Sequence, residues 1–128
     1  MSVIPANLRR SGHGTREQWD DECGHLTFTT MVGDNARDRG ELTSGLCAVP
    51  PAGFLAAHAH EAAEIYYVLA GEAHVTVDAR EQLLRCGDML HIPPLVRHAI
   101  RNDGNETFEF VFTYAADSME DPRVAYRN

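Results

Sequence analysis

The sequence has few basic residues, no long apolar run and no recognisable export signal. Its 128 residues include 11 Lys plus Arg against 19 Asp plus Glu, so the formal net charge is −8 with histidine neutral. Nucleic acids and anionic membranes are themselves negative, which disfavours both as partners. No stretch approaches the roughly 20 apolar residues that a membrane-spanning helix needs. The first residues lack an apolar core followed by a cleavage site, so we expect a cytoplasmic protein without a secretory signal.

The sequence has few cysteines, and their spacing matches no common cysteine motif. The three cysteines, Cys23, Cys47 and Cys86, form no CxxC motif. An odd number in a chain without an export signal indicates reduced thiols rather than a disulfide framework. The spacing also disfavours a cysteine metal site. Since free cysteine is commonly buried, we expect each of the three to be a structural, unreactive thiol.

Helical periodicity is a further absence, because no amphipathic segment of twelve residues stands out. From Leu26 onward, about eight short apolar or alternating runs rich in Val, Tyr, Phe and Thr are separated by turn residues such as "GDN" and "NDGN". This pattern predicts one all-β domain, a sandwich or a barrel. We expect an irregular arm over residues 1–25 with room for one short strand, a barrel over 26–115, and a polar tail or edge strand over 116–128.

What the sequence does contain is the stretch "HAHEAAEIYYVLAG", which begins at His58. In a helix, His58 and His60 would point about 200° apart, whereas in a strand they share a face. The β-branched and aromatic residues that follow favour the strand. A tight turn would then return Glu64 to the same place, and His98 on a separate hairpin could add a fourth ligand. Three imidazoles and a carboxylate suit a divalent transition metal (Fe, Mn, Ni, Zn or Co), with positions left for a substrate.

Two motifs around these residues resemble those of the cupins. The first cupin motif, G(X)5HXH(X)3–4E(X)6G, is matched by "GFLAAHAHEAAEIYYVLAG" with one residue fewer before the first histidine. The second, G(X)5PXG(X)2H(X)3N, is matched by "GDMLHIPPLVRHAIRN". Leu95 stands where the second motif has glycine, which suggests a slightly different backbone before His98 but leaves that ligand in register.

The resemblance implies a fold, a metal site and an assembly. The fold is a single conical β-barrel of jelly-roll (double-stranded β-helix) type, and the metal would be held inside it by His58, His60, Glu64 and His98. A cupin that keeps the pattern but binds no metal is the alternative. Similar cupins are commonly dimers, and the apolar strand around residues 26–32 would offer an edge to be covered. We therefore expect a homodimer.

Strand parity identifies Tyr66 as the candidate catalytic residue. If Glu64 faces inward, so do Tyr66 and Val68, while Ile65 and Tyr67 face the other side. A phenol beside a divalent cation loses its proton more easily than a free one, so Tyr66 could serve as a general base or donate a hydrogen bond to a substrate. The alternative is a core tyrosine bonded to a backbone carbonyl.

Other polar side chains lie outside the proposed ligand set, and two of them allow alternative roles. His91 is either a hydrogen-bond partner of the metal ligands or a surface residue, and Tyr126 either closes over the barrel mouth or belongs to a frayed end. His74, Arg97 and Arg101 alternate with inward positions and should face outward. Candidates for the barrel wall are Phe28, Met31, Phe54, Phe108, Phe110 and Phe112.

Cupins host many chemistries, so three classes of function stay open. The first is a metal-dependent lyase or isomerase in which Tyr66 removes a proton from a small carboxylate-bearing substrate. The spacing of the motif residues is similar to that of cupin lyases that cleave dimethylsulfoniopropionate, and also to that of sugar-acid isomerising cupins. The second is a non-haem Fe(II) dioxygenase. The third is a non-catalytic binding or sensor module, although no DNA-binding segment accompanies the barrel. We expect an enzyme with a small-molecule substrate.

Overall fold

The computed structural model describes residues 8–33, 42–116 and 122–125. Over these ranges the chain forms ten β-strands and one 3₁₀ turn, and it contains no α-helix. Within the same ranges there is also no helix of the length and apolarity that a bilayer crossing requires. The strands are β1 Thr15–Asp21, β2 Gly24–Val32, β3 Thr43–Val49, β4 Phe54–His58, β5 Glu64–Ala70, β6 Glu72–Val77, β7 Arg80–Arg85, β8 Met89–Ile92, β9 His98–Arg101 and β10 Phe108–Tyr114.

The strands join in one curled antiparallel sheet. Their order is β7-β6-β9-β4-β2-β3-β10-β5-β8, and β1 adds to β2 outside this path. β9 lies between β6 and β4, and β10 lies between β3 and β5, so the chain crosses between layers as a jelly roll does. Alternate residues of β2, β3, β5 and β10 are buried along one face. The predicted all-β barrel of jelly-roll type is confirmed.

Large aromatic side chains fill the inside of the barrel. Phe108, Phe110 and Phe112 on β10 all point inward and are 4% exposed or less. Phe28 on β2 packs edge-on against Phe112 with ring centroids 6.1 Å apart. These four wall predictions are confirmed. The other two, Met31 and Phe54, are only half-buried because Met31 has the outward parity of β2 and Phe54 begins β4 at the rim.

The glycine that opens the first motif is required by a close backbone approach. Gly53 lies in the turn between β3 and β4, where its amide donates to the Pro50 carbonyl at 2.7 Å. A Cβ atom at this position would lie 2.6 Å from the carbonyl oxygen of His25. Any side chain would therefore push β4 away from β2. This contact fixes the start of the strand that carries His58.

Two sequence expectations are wrong in the structure. The strand around residues 26–32 is not an edge, because β2 pairs with β1, β3 and β4. The pairing strand β1 lies inside residues 1–25, the segment expected to be an irregular arm with room for one short strand. Only Cys47 is buried, whereas Cys23 and Cys86 are exposed because they lie in the turns after β1 and β7.

Candidate metal centre

Three histidines meet inside the barrel. His58 ends β4 directly opposite His98 at the start of β9, and their ring centroids are 4.2 Å apart. His60 follows in the next loop, with its ring 4.9 Å from that of His98. One ring nitrogen from each residue lies within 4.8 Å of the others, and all three side chains are buried. The strand interpretation of His58 therefore holds, and the three predicted imidazole ligands are brought together in a group that could hold a metal ion.

Glu64 closes the group from the opposite side of the barrel. It begins β5, where it pairs with Ile92 of β8 and Tyr114 of β10. Its Oε1 lies 3.2 Å from His60 Nε2 and 3.5 Å from His98 Nε2, and the side chain is 3% exposed. The fourth predicted ligand thus contacts two of the three histidines, and whether it binds a metal stays a prediction.

The hydrogen bonds behind the rings fix how the histidines face one another. In each ring Nδ1 lies close to a main-chain carbonyl oxygen two residues away: at 2.7 Å for His58, 2.8 Å for His60 and 2.9 Å for His98. A carbonyl can only accept, so each Nδ1 carries the hydrogen and donates it. The Nε2 atoms then present lone pairs to the centre of the group, which is the tautomer that metal-binding histidines use.

The inward-facing ring nitrogens and the Glu64 carboxylate are placed to bind a cation. His98 Nε2 is buried and, among the described residues, makes no hydrogen bond. With Nδ1 protonated, Nε2 of His60 and the carboxylate of Glu64 direct lone pairs at each other across 3.2 Å. A positive ion between such groups would satisfy both of them, because an imidazole lone pair and a carboxylate are metal donors.

The pKa values of Glu64 and His58 also favour the binding of a metal ion. Burial raises the pKa of Glu64, but when His60 and His98 are protonated their Nε2–H groups donate to its carboxylate, and these hydrogen bonds with the positive charge bring that pKa below its ordinary value. Burial, reinforced by His98, lowers the pKa of His58 to about 3. An ionised carboxylate and a neutral imidazole are the protonation states in which these groups bind metal.

The parity prediction for β5 is confirmed. Glu64, Tyr66 and Val68 are buried, while Ile65 and Tyr67 are exposed. The Tyr66 ring lies 6.4 Å from that of His98 and 4.3 Å from that of Phe110. The candidate base is therefore buried beside the histidine group, and its catalytic role stays a prediction.

A cavity of about 30 Å³ adjoins the histidine group on the side of Glu64 and Tyr66. Its wall is mainly aromatic and apolar, and Glu64 is the one charged residue among the described residues that line it. The aromatic lining residues are Trp19, Phe28, Tyr66, Phe110, Phe112 and Tyr114, and the others are Leu26, Cys47, Leu55 and Glu64. Burial, together with the nearby carboxylate of Glu64, raises the pKa of the Cys47 thiol, so this cysteine is a neutral wall residue.

Sequence reasoning missed Trp19 as part of this wall. It lies on β1, whose sequence "TREQWDD" is polar except for the tryptophan and so shows no alternation. Its edge-on contact with Phe28, at 5.6 Å between centroids, brings it to the cavity. A single large aromatic residue in a polar strand was the signal available.

The remaining candidate side chains lie away from the centre. His91 is exposed on β8, so the surface interpretation is correct for it. His74 is half-buried, and Arg97 and Arg101 are exposed, as predicted. Arg101 pairs with Glu81 at 2.7 Å on the surface. Tyr126 lies outside the described residues.

Leu95 holds the backbone conformation that glycine would have. Its φ is +64°, and the amide of Val96 donates to the Pro93 carbonyl at 3.3 Å. Pro94 and a positive-φ residue in the two central positions are typical of a type II turn. The Leu95 amide also donates to the His60 carbonyl at 2.8 Å. Leucine therefore occupies a positive-φ turn position where glycine is the usual residue, and the expected change of backbone before His98 stays a prediction.

Comparison with known proteins gives a family match and two relatives. The family model for the cupin domain matches residues 45–114. A dimethylsulfoniopropionate lyase from Ruegeria pomeroyi is 27% identical over 108 residues, which is 84% of this chain and 69% of the relative. An uncharacterized protein from Methanocaldococcus jannaschii is 36% identical over 62 residues, or 48% of this chain, and the chain spans about half (50%) of that relative.

Solved structures agree on the fold. The crystal structure of a predicted oxalate decarboxylase from Thermotoga maritima superposes with a TM-score of 0.75. The two chains are 23% identical, and the match covers 85% of this chain and 98% of the other. The motifs, the jelly-roll topology and the domain match together show that this chain belongs to the cupin family.

Proposed function

We propose that this cupin is a divalent-metal-dependent lyase or isomerase that removes a proton from a small carboxylate-bearing metabolite. The observation that carries the proposal is that Glu64 and Tyr66 line the same cavity, while Glu64 also contacts two of the three clustered histidines. A group able to move a proton thus lies beside a group able to hold a cation.

Each residue has a separate part in this proposal. His58, His60, His98 and Glu64 would hold the ion, and the bound ion would stabilise negative charge that develops on a substrate carboxylate. Tyr66, as the phenolate that a nearby divalent cation favours, would take the proton, since the chain has no lysine and the Cys47 thiol, whose pKa is raised, stays protonated. The aromatic wall would exclude water and so strengthen these interactions.

The relative with a curated activity supports a lyase over an isomerase. It cleaves dimethylsulfoniopropionate, as its name states, and its match spans most of this chain. We further propose a reducing, cytoplasmic setting, which the three free cysteines support.

The experiment compares turnover with and without oxygen. The chain is purified without chelator, its metal content is measured, and it is reconstituted separately with Fe(II), Mn(II), Ni(II), Zn(II) and Co(II). Small carboxylates are then screened under air and under nitrogen. We expect about one ion per chain and turnover that persists under nitrogen. His58→Ala or His98→Ala should remove most of the ion, because several ligands are needed to hold it.

Tyr66→Phe tests the proton acceptor. The substitution keeps the ring and its packing, so metal content and thermal stability should change little while turnover falls by ~10²–10⁴-fold. Tyr67→Phe is the matched control, because Tyr67 is the next residue of β5 and faces outward; it should leave turnover unchanged.

Three results would contradict the proposal in different ways. Turnover that requires oxygen and tolerates Tyr66→Phe would identify a dioxygenase. Tight carboxylate binding without turnover would identify a binding or sensor module. Wild-type protein that takes up none of the five ions would exclude the metal centre altogether.

A further inference from the structure

The cavity beside the histidine group is too small for a metabolite as it stands. Its volume is about 30 Å³, and a single water needs roughly 10–15 Å³ measured in this way. The space therefore accepts about two waters. A substrate with several carbon atoms can enter only if part of the wall moves, so the wall residue that moves most easily decides which substrates fit.

Trp19 differs from the other residues that the structure describes in this wall. Those nine are 8% exposed or less, and each lies on a strand of the main sheet path. Trp19 is half-buried and lies on β1, whose remaining residues are exposed. Within the described residues, β1 pairs only with β2. Displacing Trp19 thus disturbs one strand pairing and an edge-on contact with Phe28, whereas displacing any other described wall residue disturbs the buried core.

The outer side of this wall also has space. Trp19 and its cross-strand partner Leu26 line a second cavity of about 210 Å³, together with His25 and Thr27 of β2. The two cavities therefore share the Trp19–Leu26 pair as lining. An indole that leaves the inner cavity therefore has a neighbouring space to enter.

We propose that Trp19 is a specificity-determining residue, which yields to the apolar part of the substrate and limits its length. This inference rests on the proposed function, in which the metal centre holds the substrate carboxylate. The substrate class is then a carboxylate with a short apolar substituent. A polyhydroxylated sugar acid fits poorly, because most of its hydroxyl groups would be buried against aromatic rings without hydrogen-bond partners.

The experiment measures binding rather than turnover. Protein loaded with zinc(II) is titrated calorimetrically with straight-chain carboxylates from acetate to octanoate. While the chain enters an apolar cavity, each added methylene should tighten binding by about fourfold. In the wild type this gain should stop at a definite chain length. Trp19→Ala should extend the gain by at least two carbons, and Trp19→Phe should lie between the two.

The wild type carries its own optical reporter. Trp19 is the one tryptophan of the chain, so its emission should shift when a carboxylate binds and should not shift with zinc(II) alone. Leu83→Ala is the control substitution, since Leu83 is a 38% exposed leucine of β7 that does not line the cavity. It should leave the limiting chain length unchanged.

The outcomes separate this inference from the proposed function. If zinc(II) binds but no carboxylate does, both proposals are wrong. If carboxylates bind with the same limiting length in the wild type, Trp19→Ala and Trp19→Phe, only the role of Trp19 is excluded. If Trp19→Ala does not fold, Trp19→Phe and the wild-type emission decide, and an emission unchanged by bound carboxylate overturns the inference.

Discussion

Three main-chain carbonyl groups control the orientation of the clustered histidines. They belong to Ala56, Ala62 and Val96, and each accepts the Nδ1 hydrogen of the histidine two residues away, which is His58, His60 and His98 respectively. A carbonyl belongs to any amino acid, so the side chains at these three positions need no particular chemistry. For this reason the sequence could identify the histidines by their spacing but not their tautomers.

The depressed pKa of His58 predicts how acid affects the metal-free protein. Its folded pKa is about 3 against an ordinary value of 6.5, so the unfolded chain binds the extra proton first. The stabilisation that the neutral His58 ring contributes is therefore fully present above pH 6.5, and it is lost as the pH falls towards 3. The lowered pKa of Glu64 acts in the same direction, because a carboxylate stabilised in the folded state loses that stabilisation on protonation.

We expect the free energy of unfolding of chelator-treated protein to fall by about 2 kcal/mol between pH 7 and pH 5. Urea unfolding at the two pH values measures this change. His58→Gln removes the titrating ring and should reduce the loss, whereas His91→Gln, on the exposed surface, is the control and should not. Equal or greater stability of the wild type at pH 5 would contradict the assignment.

At the scale of elements, the turn before β9 belongs to the second motif and is hydrogen-bonded to the first. Leu95 has φ +64° at the third position of this turn, where glycine is the usual residue. A residue with a Cβ atom pays roughly 1–2 kcal/mol in this conformation. The turn persists because it is bonded on both sides, through Val96 to Pro93 and through Leu95 to His60.

Leu95→Gly should therefore stabilise the protein by about 0.5–1 kcal/mol, since relief of strain exceeds the entropy that glycine adds to the unfolded chain. Leu95 is 51% exposed, so little packing is lost. Leu83→Gly is the matched control: it removes another exposed leucine from an ordinary strand conformation and should destabilise by about 1 kcal/mol. Urea midpoints of both variants give the comparison, and destabilisation by Leu95→Gly would show that the turn is not strained.

The strands also show why some features could be predicted and others could not. Alternation in "EIYYVLA" identified the inward faces of Glu64 and Tyr66, because β5 has one face in the core and one outside. β1 has no such alternation, since both its faces are largely exposed. Its position depends on backbone pairing with β2, which leaves no pattern in the side chains. The Trp19 wall of the cavity was missed for that reason.

At the scale of the whole molecule, one outer surface is apolar. Met89, Tyr67, Val111 and Leu46 face one another in register across β8, β5, β10 and β3. Met89 is 65% exposed, Tyr67 41% and Leu46 38%. Single exposed apolar residues are ordinary, but a continuous row across four strands is typical of an interaction surface.

We propose that a second copy of the chain covers this outer row, which replaces the β2 edge as the basis for the expected homodimer. A two-fold axis would place the row against itself, and it contains no charge to repel its copy. Light scattering at micromolar concentration should give twice the chain mass for the wild type. Met89→Asp and Leu46→Asp should give the single-chain mass, because each would bury two carboxylates at the interface.

Leu83→Asp is the control for assembly, since within the described residues β7 pairs with β6 and with none of the four strands that carry the row. This variant should keep the dimer mass. Because each chain carries a net charge of −8, added salt should strengthen association by screening repulsion. A wild type with the mass of one chain at both low and high salt would exclude the dimer.

The positions of the four candidate ligands along the strand order have a consequence for folding. His58 and His98 face each other on adjacent strands, whereas Glu64 lies on β5, separated from β4 by β2, β3 and β10. Glu64 follows His60 by four residues and can meet it locally, but it can reach the His58–His98 pair only after the sheet has curled through that distance. A half-built barrel therefore holds two fragments of a binding site and no site. An ion bound by all four groups would stabilise the closed barrel. Its rate of dissociation would then be limited by the rate at which the sheet opens.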